Sequence, residues 1–178
     1  MASFGYITIG SSGWSDFGNV LMGYHAAPIN GDGVIDNIQA YIRNVGGANY
    51  NVKCAVYSYN GAGDAGSPIA NGESDVVSLA PDAGSWVTFT FSTNPTVTNG
   101  VEYFILIWGA QGGGLIHIAY DAGGAAGIGL FKSVAYGAWP TPLAGETSST
   151  AQRSIYVNYT PSTPSDNRKR CSSLLCGL

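Results

Sequence analysis

His25 and His117 are the only histidines in the chain, so imidazole chemistry or a histidine metal site would have to be built on them. Both stand in alternating apolar runs, His117 within Leu115-Ile116-His117-Ile118. Neither keeps the spacing to a Cys, Asp or Glu that a zinc site requires, and both read as structural or surface residues. Glycoside hydrolysis needs two carboxyl groups flanking one sugar bond. The acids here fall mostly singly on turns, although Asp32 lies near Asp36, and Glu73 alternates with Asp75. Asp32, Asp64 and Asp75, together with turn carbonyls, are the oxygen ligand types that calcium takes. No calcium loop is spelled out, so these acids read as solvated and no cofactor is assigned. Gly61-Ala62-Gly63-Asp64-Ala65-Gly66 fits the glycine pattern of dinucleotide sites, but Ser67-Pro68 follows where a helix should begin. The segment therefore reads as a glycine-rich loop. No nucleophile, base and orienting group come together, and the chain is expected not to be an enzyme.

The aromatic residues carry more information. Trp14 and Phe17 share a segment that reads as a loop, Trp139 sits between Ala138 and Pro140, and Tyr57 and Tyr59 end a strand on its outward face. Exposed rings of this kind stack on sugar C–H faces or anchor interfaces. The alternative is that the rings fold back and cap the ends of the domain. Capping is the preferred reading for Trp86 and Trp108; for Trp14 and Trp139 both readings stand. Asn158-Tyr159-Thr160 matches an N-glycosylation acceptor by pattern, but it falls on a strand.

The elements that must position these residues are short strands. Period-two alternation with turn signals recurs along the chain, and no stretch keeps a helical period. Strands are expected at Phe4–Ile9, Asn19–Ala27, Val34–Arg43, Tyr50–Tyr59, Asp75–Ala80, Trp86–Ser92, Val101–Trp108, Leu115–Tyr120, Ile128–Val134 and Arg153–Tyr159. Gly61–Pro68 and Tyr136–Pro142 are expected to be loops. Val101–Trp108 is apolar on both faces apart from Glu102, the signature of a central strand. Ile38, Ala40 and Ile42, then Val52, Cys54 and Val56, then Ile155, Val157 and Tyr159 are expected to face the core. This pattern predicts an all-β, jelly-roll-like, two-sheet antiparallel sandwich over residues 1–160. Residues 161–178 read as a polar, basic tail outside it, opened by Pro161-Ser162-Thr163-Pro164-Ser165.

Composition narrows the setting. The chain has 178 residues, 45% hydrophobic and only 10% charged, with 26 glycines. That charge content is well under the roughly 25% of ordinary soluble domains and suits a turn-rich sandwich working outside a cell or packed among copies of itself. Net charge is −4, and the tail is positive, since Arg168, Lys169 and Arg170 outnumber Asp166. An acidic body argues against nucleic acid, which is bound through clustered Lys and Arg. No apolar run approaches a membrane span. Of the three cysteines, Cys54 reads as a buried free thiol, while Cys171 and Cys176 lie in the tail, free to pair or not. Met1-Ala2-Ser3-Phe4 runs straight into a strand pattern without a signal-peptide design, which favours synthesis in a host cytoplasm and exposure after release.

The core cadence of Gly33-Val34…Ile38-Gln39-Ala40-Tyr41-Ile42, Val52-Lys53-Cys54-Ala55-Val56-Tyr57-Ser58, Trp86-Val87-Thr88-Phe89 and Asn99-Gly100-Val101-Glu102-Tyr103-Phe104 resembles bacterial and phage jelly-roll β-sandwich modules. The resemblance covers residues 20–110 and implies a non-catalytic module serving adhesion, glycan binding or particle decoration. The expectation is a non-enzymatic virion structural protein, a phage capsid decoration protein or other surface component. It would assemble as a homo-oligomer or on capsid partners through its sandwich and tail, with Arg168, Lys169, Arg170, Leu174 and Leu175 as the assembly residues. The alternative is a carbohydrate-binding or adhesin-type domain using Trp14, Phe17, Tyr57, Tyr59 and Trp139.

Overall fold

A computed structural model of the chain describes residues 1–61, 65–110 and 113–162. The described residues form two antiparallel sheets packed face to face, with no helix among them. In chain order the strands are β1 (Ala2–Gly5), β2 (Gly13–Asp16), β3 (Val20–Ala26), β4 (Gly33–Asn44), β5 (Tyr50–Tyr59), β6 (Ala65–Glu73), β7 (Val77–Leu79) and β8 (Asp82–Phe89). They continue as β9 (Thr96–Val97), β10 (Tyr103–Gly109), β11 (Ile116–Asp121), β12 (Gly129–Ser133), β13 (Thr147–Ser149), β14 (Gln152–Arg153) and β15 (Ile155–Pro161).

The long strand β4 organises the first sheet. One of its edges pairs with β15 and then β11, and the other with β8 and β9. β1 extends the sheet beyond β15, and β2 extends it beyond β11. The second sheet runs β13-β12-β3-β10-β5-β6, with β7 also on β5. β10 lies between β3 and β5 and is buried at all seven positions, as its two-faced apolar sequence requires.

The inward residues of both sheets form one core. Ile38, Ala40 and Ile42 from β4 meet Cys54 and Val56 from β5, Ile105 and Ile107 from β10, and Ile155, Val157 and Tyr159 from β15. Each large side chain removed from water here contributes about 1.5–3 kcal/mol, which offsets the entropy lost in ordering so many short strands. Cys54 is fully buried, and burial pushes its thiol well above the ordinary value, which makes it inert.

Several elements differ from expectation. Ala65–Glu73 is an edge strand rather than the tail of a loop; Pro68, Gly72 and the left-handed Asn71 (φ 59°) disguise it, and its register with β5 shifts twice. Trp14 lies on a strand, β2, not in a loop, and Phe17 just beyond it is fully buried in the core. The first strand stops at Gly5, whose φ of 113° turns the chain out of the sheet. β8 begins at Asp82, four residues earlier than the alternation suggests, and β15 reaches Pro161.

Candidate functional site

Because Ile38, Ala40 and Ile42 point inward, the alternate residues Asn37, Gln39, Tyr41 and Arg43 of β4 stand on the outer face of the first sheet. Their cross-strand partners share that face. Trp86 sits opposite Tyr41, Thr88 and Tyr156 flank Gln39, Asn158 is opposite Asn37, and His117 is opposite Arg43. β2 adds Trp14 and Asp16.

The rings form a continuous row. The Arg43 guanidinium lies 4.3 Å above Trp14, Trp14 is 5.8 Å from Tyr41, Tyr41 is 5.4 Å from Trp86, and Trp86 is 5.1 Å from Tyr156. All five side chains are half-buried, so each ring keeps an edge or face toward solvent. Gly84 makes the row close: its φ of 140° and the approach of Trp14 to 3.0 Å of where a Cβ would stand leave no room for a side chain. Tyr41 also donates to Gly84 O at 3.2 Å.

Beside the rings runs a polar strip. Gln39 Nε2 donates to Thr88 Oγ1 at 2.8 Å, Asn158 Nδ2 donates to Asn37 Oδ1 at 3.0 Å, and Thr160 donates to Asp36 at 2.9 Å. At the other end, Asp16 accepts from Gly18 N and Gly114 N, both at 2.9 Å. His117 Nδ1 and Arg43 Nε are buried with no hydrogen-bond partner among the described residues. Burial, then the neighbouring Arg43 charge, lowers the His117 pKa while Asp16 opposes them, so the imidazole is neutral near pH 7. The β1–β2 connection that delivers Trp14 is tied down by Asp121, which accepts from Tyr6 Oη at 2.6 Å and Ser11 N at 2.7 Å. Those bonds hold its carboxyl down at about 2.

The outer face of the second sheet is also aromatic, but residues 134–146 lie across it as a strap. Tyr57, expected to be an exposed ligand residue, is fully buried beneath this strap and donates to Pro140 O at 2.8 Å. Trp139 is 7% exposed and packs on Tyr57 and Trp108. Tyr57 is on the outward side of its sheet, and Trp139 belongs to the strap that covers it. Tyr59 remains half-buried, stacked on His25 at 4.7 Å, with His25 2.9 Å from Glu102. Lys53 is 8% exposed; its Nζ lies 4.7 Å from the Trp108 ring and 4.8 Å from each of Tyr136 and Trp139, and it donates to Gly137 O.

Of the five aromatics singled out from sequence, Trp14 alone joins the open row, while Phe17, Tyr57 and Trp139 are structural. Tyr41 and Tyr156 were not singled out, although each lies between two core residues at period two, and Trp86, read as capping an end, instead stands opposite Tyr41 in the open row. The calcium candidates are not brought together: Asp32 accepts from Asn99 N at 2.8 Å, Asp75 accepts from Ser92 Oγ at 2.7 Å, and Asp64 lies outside the described residues. No group of three or more His, Cys, Asp or Glu among the described residues is placed to hold a metal ion. Arg168, Lys169, Arg170, Leu174 and Leu175, with Cys171 and Cys176, also lie outside the described residues. The chain matches no protein family, no curated protein and no solved structure.

Proposed function

We propose that the protein is a non-enzymatic recognition module that binds a neutral glycan on the outer face of its first sheet. The supporting observation is the row Trp14-Tyr41-Trp86-Tyr156, half-open to solvent and bordered by the side-chain amides of Asn37, Gln39 and Asn158. Sugar rings present apolar C–H faces that stack on aromatic rings and hydroxyls that pair with amides, and this face offers both side by side. The half-buried Arg43 and His117 side chains add polar character at one end, where a bound chain would terminate. Display on a virion surface suits such a face, since the roofed face opposite leaves the open one turned outward.

The test is a glycan array followed by calorimetric titration of the best oligosaccharide. Trp86→Ala is expected to weaken binding at least tenfold, about 1.4 kcal/mol, with Trp14→Ala close behind. An array without any hit, or two alanine variants that bind as the parent does, would remove the proposal.

A further inference from the structure

A second concavity lies at one mouth of the sandwich, distinct from the aromatic row but bordered by Ser15 and Asp16 of the strand that carries Trp14. β12 pairs with β3 so that Phe131 and Ser133 fall opposite Met22 and Val20, on the inner side of the second sheet. Yet Phe131 is 38% exposed, because the first sheet stops short of β12. The uncovered space is a groove of about 540 Å³, floored by Val20, Met22 and Phe131 and bounded by Arg153 from the opposite sheet. A neighbouring hollow of about 360 Å³ continues it past Phe131 and Ser149.

Arg153 is the unusual residue. It is 3% exposed and reaches across to the second sheet, where Nη1 donates to Gly23 O at 3.1 Å. Its Nε has no partner, and no carboxylate pairs with it among the described residues. Gly129 makes the space for it: a Cβ there would stand 2.7 Å from Nη1. Burial lowers the Arg153 pKa to about 10, which still leaves it charged at neutral pH. Asp16, the one acid lining the groove, has both oxygens engaged by the amides of Gly18 and Gly114. A buried, unpaired cation is costly, and folds keep one where something else supplies the counter-charge.

We propose that this groove binds the carboxylate of a small polyhydroxylated acid, of uronic acid size, through Arg153. A guanidinium fork pairs with a carboxylate through two parallel hydrogen bonds. Ser15, Ser133, Ser149 and Thr150 line the groove with hydroxyls suited to a sugar ring, and Phe131 offers it a flat apolar surface. The volume falls within the range of small-ligand sites.

The groove and the aromatic row are tested separately by titrating the full chain with glucuronate, glucose and acetate, followed by calorimetry and NMR shifts. Glucuronate should bind saturably, with glucose and acetate at least tenfold weaker. Arg153→Met should abolish that binding, Phe131→Ala should weaken it several-fold, and Trp86→Ala should leave it unchanged. Phe131→Ala, at an exposed position, keeps the test decisive should Arg153→Met not fold. Absence of saturable glucuronate binding would overturn the proposal. So would acetate binding as tightly as glucuronate, or Phe131→Ala binding like the parent.

Discussion

The two outer faces of this sandwich start from the same material and end differently. Each carries two tryptophans and two or more tyrosines in contact, and each holds a cation against indole: Arg43 on Trp14, Lys53 among Trp108, Tyr136 and Trp139. On the second sheet the strap covers the rings and accepts from three polar groups of the face, although the Tyr136 hydroxyl and His25 Nδ1 stay without a hydrogen-bond partner among the described residues. Tyr57 Oη donates to Pro140 O, Trp108 Nε1 to Val134 O and Lys53 Nζ to Gly137 O. Across the first sheet no described segment is laid, and Trp14, Tyr41, Trp86 and Tyr156 stay half-buried. Aromatic content therefore does not distinguish a binding face from a packing face. Coverage by the chain's own strap does.

The sharpest way to break this contrast is Trp139→Ala. Its ring packs from the strap onto Tyr57 and Trp108, so the variant should lose about 3–5 kcal/mol in urea unfolding while any glycan affinity stays within about twofold. Trp86→Ala should do the reverse, costing about 1 kcal/mol of stability and most of the affinity. Equal stability losses would erase the distinction between the faces.

Lys53→Ala should come next, losing about 2 kcal/mol through the emptied cage and the freed Gly137 carbonyl. Lys53→Met, which keeps the apolar stem, should lose less. A stability unchanged in Lys53→Ala would mean the strap is held by its rings alone.

The smallest effect concerns His117. Its pKa is lowered in the folded state, chiefly by burial and then by Arg43, so the unfolded chain takes up the proton more readily. Its contribution is fully present above the unfolded value of about 6.5 and declines as pH falls through the folded value. His117→Gln should flatten that part of the pH–stability curve, and an unaltered curve would show that other groups set it.

The sandwich was legible because its strands alternate cleanly over a buried core. Tyr50–Tyr59 coincides with β5, and Ile38, Ala40, Ile42, Ile155, Val157 and Tyr159 all face inward. The short and irregular strands were not legible. Four residues such as Gly13–Asp16 are too few to show a period, and the bulges of β6 break the one it has. The aromatic roles were hardest to read. Outwardness follows from parity along a strand, but whether an outward ring meets solvent depends on residues 134–146, far away in sequence and without a period of their own. Arg153 gave no signal, since a single basic residue at a strand start says nothing about what pairs with it.

The strand edges bear on how many copies can share a surface. One border of the second sheet is β13, three residues long; the other is β6, interrupted by Pro68 and two register shifts. The first sheet is bordered by β1 and β2, four residues each, by β9 and β14, two residues each, and by β8, whose register with β4 shifts near Ile42 and Asn44. None of these offers a long straight ladder of free amides and carbonyls to template a neighbouring chain. Copies crowded side by side would meet through faces and loops rather than fuse edge to edge, so a dense array could stay a set of separate, reversible units instead of drifting toward fibre.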